Sequence, residues 1–382
     1  MKEYKSPWMN DELEMLRDTA RRFFEKEVAP RAEQWRKQHH VDRDVWKRAA
    51  DLGLVGISIP TEYGGQGGNF AHEAVVIEEQ ARICDTSFPF VPGALNIPHF
   101  LLGTASKAQL DQWMPSIVRG DKMISVAITE PDAGTDVKTL RTTARREGNE
   151  YVVNGSKIFI TLGHVSDYCI VAARTGGEGA KGISLLMVDT RNTPGFKVGR
   201  ILEKVGQHGV DTCELFFDNM RVPVENLLGG EEGRGFGQLM GVFVTERMAI
   251  AVTGVATAER AVQLALEHAK QRKMFKQTLW DFQNTRLKLV ECETEAKVAR
   301  IYIDSLIDRL ARGEEIDSVE AARAKWWCTD KQCRIIDECV QIFGGYGYMQ
   351  EYPIAQLYMD ARVQRIYGGS NEALKEVIAR TL

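Results

Sequence analysis

Glu246 and Arg247 stand side by side in a run whose other members are almost all apolar: Val242, Phe243, Val244, Met248 and Ile250. Glu and Arg usually stay at the surface, so the plain reading is a solvated helix pair. The neighbours argue otherwise. A carboxylate held among apolar side chains is expected to have a raised pKa, as a general base working near neutrality needs. Four further stretches carry hydroxyls, glycines or fixed charge: AITEPDAGTDV (127–137), KIFITLG (157–163), RKMFKQTLWDFQ (272–283), and QIFGGYGY (341–348) taken with DARVQRIYGGSNE (360–372). Each alone has an ordinary account. Thr129-Glu130-Pro131 reads as a turn and Gly344-Gly345 as a helix C-cap. Asp360 with Arg362 reads as a local ion pair worth ~0.2–0.5 kcal/mol.

Other chemistries find little support. The stretch from Gly177 to Gly182 matches G-x-G-x-x-G and follows an apolar run, but it precedes a second one, ISLLMV. A dinucleotide fingerprint needs a helix N-terminus there to hold the pyrophosphate, so a hairpin turn is expected. The seven cysteines are scattered and lack zinc spacing, which suits free thiols in a reducing compartment. No metal site is expected. His39 and His40 lie in a charged segment and are expected to be solvated. A net charge of −4 gives no reason to expect nucleic acid. The start, MKEYKSPWMNDELE, is too acidic and polar for a signal peptide, and no run is expected to span a membrane. A cytoplasmic protein, or the mature form of a processed one, is the expectation.

The elements that must position these residues fall into three regions. With 382 residues, 44% apolar and 27% charged, the chain is long enough for two or three domains. Residues 1–122 read as helices. Asp11 with Glu14 and Ser106 with Gln109 look like capping boxes, and Pro30 is expected to end the first helix. Residues 123–233 hold short β-rich runs, with Asn154-Gly155 a hairpin signal between EYVV and KIFIT. Residues 234–382 are helical again. The expected class is α+β multidomain: an N-terminal helical domain, a middle antiparallel β domain and a C-terminal helical bundle. Gly237 and Gly241, near Glu246, either leave room for a ligand or serve helix packing.

Together, in this order and spacing, the segments resemble the acyl-CoA dehydrogenase family, from about Asp11 to Leu382. The resemblance implies FAD and an acyl-CoA thioester, with Val126, Ala127, Ile128 and Thr129 at the flavin. It places Gly134 and Thr135 near the pyrophosphate and substrate, and Phe159, Ile160 and Thr161 beside the isoalloxazine. Leu162 departs from the family's usual Asn. Arg272, Phe275 and Gln283 match a motif that reaches the FAD of a neighbouring subunit; Lys276 replaces a usual Gly. Gln341, Gly344 and Gly345 approach the same cofactor, and Ser370, Asn371 and Glu372 close over it.

Many members carry the base in I-Y-E-G-T. This chain reads Ile366-Tyr367-Gly368-Gly369-Ser370, so that Glu is missing. A branch that includes long-chain and isovaleryl-CoA dehydrogenases places the base before an Arg on a C-domain helix, which points to Glu246. Arg247, Tyr367, Gly368 and Gly369 then fall at the substrate. The resemblance further implies that Glu246 takes the α-proton while flavin N5 takes the β-hydride. It implies a trans-2-enoyl-CoA product, an electron-transfer flavoprotein as acceptor and a homotetramer or homodimer. A flavin oxidase, monooxygenase or desulfinase on the same scaffold, or a non-catalytic descendant, are the alternatives.

Overall fold

The computed structural model describes residues 4–382. Helix α1 (Asp11–Phe23) starts one residue earlier than the expected capping box allows. Asn10 is the N-cap and accepts from the Leu13 N–H, which leaves Asp11 and Glu14 in the first turn, where they favour the helix dipole. Pro30 does not stop the run either. A π turn (Phe24–Val28) and a 3₁₀ turn (Ala29–Arg31) carry the chain into α2 (Ala32–Gln38). Pro30 sits at the start of a new element, where its missing N–H costs nothing. His39 ends α2 in a left-handed conformation, and both His39 and His40 are half-buried rather than solvated. Helices α3 (Arg43–Asp51), α4 (Phe70–Arg82), α5 (Ile97–Thr104) and α6 (Lys107–Val118) complete the region. The Ser106–Gln109 capping box on α6 forms as expected.

The middle region is a curled seven-stranded sheet, β1 (Ile124–Ala127), β2 (Thr143–Glu147), β3 (Glu150–Thr161), β4 (Tyr168–Arg174), β5 (Ile183–Asp189), β6 (Phe196–Ile201) and β7 (Thr212–Pro223). Its order is β1-β4-β2-β3-β7-β6, with β5 also on β4. Pairing is antiparallel except where β4 runs parallel to β1 and to one residue of β2. The Asn154-Gly155 hairpin does not exist: both residues lie inside the 12-residue strand β3, and the turn is at Gly148-Asn149. Asn154 instead bonds Asn219 across a bulge in the β3–β7 ladder. Gly155 allows close approach, since a Cβ there would lie 2.5 Å from Thr142 Oγ1. The Gly177–Gly182 stretch joins antiparallel β4 and β5, a connection between strands and no helix cradle.

The last region is built on the 37-residue helix α7 (Gly235–Gln271). A two-strand ribbon follows, β8 (Lys273–Met274) and β9 (Gln277–Thr278), then α8 (Gln283–Ala311), α9 (Ser318–Phe343), α10 (Pro353–Ala361) and α11 (Asn371–Ala379). Contrary to expectation, α7 is long and apolar enough to cross a membrane by composition, with a window of mean hydropathy 1.5. Its packing explains that composition: α4, α8 and α9 all lie against it, and one apolar core runs from Trp8 through α4 and α7 to Cys328. Helix α7 touches elements of all three regions, α4 and α5, β5, and α8 to α10, which is where a carboxylate can be buried between domains.

Candidate active site

Residues Val242, Glu246, Ile250, Thr253 and Thr257 recur at helical spacing on α7 and line a cavity of about 260 Å³. Ile77, Gln80 and Ala81 of α4, with Cys84 just beyond its end, form a second wall, and the segment from Phe88 to Phe100 a third. The β domain closes the cavity with Val126, Ile128, Thr129, Phe159, Ile160 and Thr161, joined by Gln364 and Tyr367. Two carboxylates reach the lining. Asp85 is paired with Arg36. Glu246 makes no ion pair within 4 Å among the described residues, so its carboxylate is free to take a proton. Burial pushes its pKa up, and the Arg247 and Lys325 charges oppose that rise.

The Gly368-Gly369 turn stands beside it, both residues left-handed at φ 63° and 87°. A Cβ on Gly368 would lie 2.5 Å from Ile250 Cδ1 and 4.0 Å from Glu246 Cδ. A side chain at position 368 would be strained at φ 63° and would have to displace the Ile250 δ-methyl, while the Glu246 carboxylate stands at contact distance from the same point. The Arg247 guanidinium lies over the Phe243 ring at 5.6 Å, and its buried Nε has no partner among the described residues.

Family models for the N-terminal, middle and C-terminal domains of acyl-CoA dehydrogenases match residues 10–121, 125–220 and 233–382. The chain belongs to the acyl-CoA dehydrogenase family. It is 40% identical over 376 residues to the mitochondrial long-chain specific acyl-CoA dehydrogenase of Mus musculus, covering 98% of this chain and 87% of the mouse protein. The crystal structure of an acyl-CoA dehydrogenase from Geobacillus kaustophilus superposes with a TM-score of 0.94, at 37% identity and 99% coverage of both chains. The butyryl-CoA dehydrogenase of Megasphaera elsdenii gives 0.91, at 32% identity and 99% coverage of both. The protein is thus an oxidoreductase with the three-region fold of that family.

Relative to other acyl-CoA dehydrogenase motifs, the residues divide into two groups. Val126, Ile128, Thr129, Phe159, Ile160, Thr161, Glu246 and Tyr367 meet at the cavity. A register shift in the β3–β7 ladder and a left-handed Phe159 (φ 61°) turn that ring outward, leaving it 63% exposed. Leu162, also left-handed, takes the place of a residue type better suited to φ 61°. Ala127 faces the β-domain core, and Gly134 and Thr135 are exposed in the long β1–β2 connection.

Arg272, Phe275, Gln283, Gln341, Gly344 and Gly345 lie elsewhere, none of them on the cavity wall. The Arg272 guanidinium packs over Tyr346 at 5.3 Å, and His268 stacks on Phe343 at 4.2 Å, which ties the ends of α7 and α9 together. Phe275 and Lys276 form the left-handed two-residue turn of the β8–β9 ribbon, and Phe275 is 82% exposed. Ser370 caps α11, and Glu372 is exposed in its first turn. Asn371 is buried and its side chain is committed inward, to Lys325, Thr329 and the Trp326 carbonyl.

Sequence reasoning missed two buried lysines. Lys157 of β3 donates to the Ile128 carbonyl and to Glu130 Oε1, both at 2.8 Å. Glu130 also accepts from the backbone of Arg141 and Thr142, and Ile158 N–H bonds the Thr129 carbonyl. Thr129 is therefore clamped on both sides. Burial would raise the Glu130 carboxyl, but Lys157 and the N–H donors hold it below its usual range. Burial lowers Lys157 to about 8 against the pull of Glu130. The second is Lys325 of α9. The wall formed by α4 and residues 88–100 was also missed, because apolar residues at helical spacing look alike whether they face a core or a cavity.

Proposed function

We propose that this protein is an FAD-dependent acyl-CoA dehydrogenase that converts an acyl-CoA thioester to its trans-2-enoyl-CoA, with Glu246 as the base. The observation that carries the reading is a carboxylate on the largely apolar cavity wall that has no ion pair among the described residues, beside a glycine turn whose Gly368 N–H has no acceptor among them. The family's cofactor suits the residues present. Thr129 and Thr161 bring hydroxyls to the β side of the cavity, Phe159 offers a flat exposed face, and the buried Oε1 of Gln364 on the wall has no partner among the described residues. When bound, the flavin supplies the two-electron acceptor.

The α-hydrogen of a thioester is a weak acid, and its removal develops negative charge on the thioester oxygen. The Gly368 N–H would meet that charge, a role that needs no side chain. Glu246 would take the proton on its carboxylate. The apolar walls from α4, α7 and residues 88–100 would hold the acyl chain and keep water from the base. Gly237 and Gly241 take no part: a Cβ at either would meet nothing within 4 Å, and neither lines the cavity.

A homotetramer or homodimer fits the second group of motif residues. Arg272 and Phe275 stand exposed and away from this chain's own cavity, where a neighbouring subunit's FAD could meet them. Leu287, Val290, Val298 and Ile301 leave an apolar stripe exposed on α8. An electron-transfer flavoprotein is the proposed acceptor.

The test is anaerobic bleaching of the purified yellow protein by acyl-CoAs of graded length and branching. Bleaching with the saturated thioester and formation of the enoyl product are expected; no bleaching with any member would sink the reading. Oxygen consumption during turnover would instead indicate an oxidase. Lys157→Met should release the Ile128–Glu130 clamp and leave Glu130 buried without its partner, a change worth ~3–5 kcal/mol in comparable pairs. The protein should then purify with little FAD, read from its visible absorbance. Full FAD content after dilution would show that the clamp does not shape the flavin side.

A further inference from the structure

We propose that Lys325 is a positioning residue: its buried ammonium fixes the Gly368-Gly369 turn from behind and supplies a standing positive field at the Glu246 carboxylate. The inference rests on the reading of Glu246 as the base.

Lys325 is fully buried on α9, 44 residues from the glycine it bonds in the turn. Its Nζ donates to the Gly369 carbonyl at 2.7 Å and to Asn371 Oδ1 at 3.1 Å. Asn371 in turn bonds Thr329 and the Trp326 carbonyl, and Thr329 donates back to the Lys325 carbonyl. The left-handed turn is thus pinned at its second glycine, and the direction of the Gly368 N–H follows. From the point where a Gly368 Cβ would sit, Lys325 Cε is 3.8 Å away and Glu246 Cδ 4.0 Å. The cation and the base therefore flank the same glycine, yet no direct ion pair joins them among the described residues. A contact pair would depress the carboxylate too far to accept a proton. A cation acting across the turn offsets burial and leaves the oxygens free.

An ammonium is a costly way to satisfy a carbonyl and an amide oxygen, since a neutral donor would do. What a neutral donor lacks is the field. The charged and titratable groups acting on Lys325 are Glu246 and Arg247 on α7, Glu372 on α11 and Cys333 on its own helix. Burial lowers Lys325 to about 8, with Glu246 the strongest pull the other way. The cation is present below that pH and is lost above it. Flavin reduction should rise with pH as Glu246 ionises and fall near pH 8 as Lys325 deprotonates.

The experiment compares wild type, Lys325→Gln and Lys325→Arg for FAD content, for the pH profile of anaerobic flavin reduction, and for the pH at which a bound 3-ketoacyl-CoA ionises to its enolate. The last readout needs no turnover. Lys325→Gln keeps a donor but loses the charge. Its acid limb should move up by about one pH unit, its rate at a given pH on that limb should drop about tenfold, and the bound enolate should form only at higher pH. Lys325→Arg should restore the acid limb and remove the fall near pH 8. A Lys325→Gln protein that is slower but keeps both the wild-type acid limb and the wild-type enolate pH would overturn the proposal in favour of a merely structural lysine. If Lys325→Gln does not fold, Lys325→Arg decides: an alkaline limb unchanged from wild type overturns it. Wild type that never bleaches condemns the dehydrogenase reading, whereas wild type that bleaches with limbs indifferent to residue 325 condemns only this one.

Discussion

Glu246→Gln should slow flavin bleaching by an acyl-CoA ~10²–10⁴-fold, the usual contribution of a positioned general base, with FAD content and folding unchanged. Glutamine keeps the size and shape of the side chain but cannot accept a proton, so the walls formed by Val242, Ile250 and the glycine turn stay in place. No neighbour is placed to substitute. Asp85, the other carboxylate on the lining, is engaged by Arg36. Burial pushes the Tyr367 hydroxyl up to about 12, so it stays protonated at neutral pH. Because burial raises Glu246, the wild-type rate should climb with pH above the ordinary carboxylate range, and this acid limb should vanish in the variant. A carboxylate moved to position 368 should not rescue activity, since φ 63° strains any side chain there and the new Cβ would lie 2.5 Å from Ile250 Cδ1. Bleaching at the wild-type rate by Glu246→Gln would leave the reaction standing and remove Glu246 from it.

The burial of Glu246 at the cavity was legible because its signal is local: a charged pair among apolar neighbours on one helix. The order of regions was legible for a similar reason, as a 3.6-residue period gives way to short β-rich runs and then returns. The errors came where a local signal has two structural outcomes. Asn-Gly favours a tight turn, but it also fits a bulge where two strands come close, and only the β7 partner decides between them. Pro30 marks a boundary, yet the boundary opens the next turn. Lys157 and Lys325 gave no signal at all. A lysine is read as surface unless its acceptors are known, and theirs are supplied by residues 27 to 46 positions away in sequence. The two groups of cofactor motifs were likewise indistinguishable in the sequence, although one reaches the cavity and the other stands on a separate surface.

Arg300→Leu should destabilise the fold by ~3–5 kcal/mol at neutral pH, the range seen when one partner of a buried ion network is removed. Arg300 is 6% exposed on α8 and bonds Glu78 of α4 at 2.5 Å, Glu259 of α7 at 2.6 Å and Asp304 at 3.3 Å. Asp304 also accepts from Tyr4 and Trp8, so the network fastens the start of the chain to the C-terminal helices. A leucine fills the space but leaves Glu78 with Arg17 alone and Asp304 with only the neutral donors Tyr4 and Trp8. Burial already pushes Glu78 up despite Arg300 and Arg17, and losing Arg300 would raise it further. A carboxyl whose folded pKa is raised penalises the fold only while it must stay ionised, so the deficit should shrink as pH falls toward the carboxylate range. Denaturant unfolding of wild type and variant at neutral and mildly acid pH measures both the size and the sign. A midpoint unchanged at pH 7 would mean the network contributes nothing, and a deficit that grows on acidification would contradict the stranded-carboxylate account. The consequence reaches the site as well. Glu78 adjoins Ile77 on one cavity wall and Glu259 shares α7 with Glu246, so a looser network should let the two walls drift and lower flavin reduction even below the unfolding midpoint.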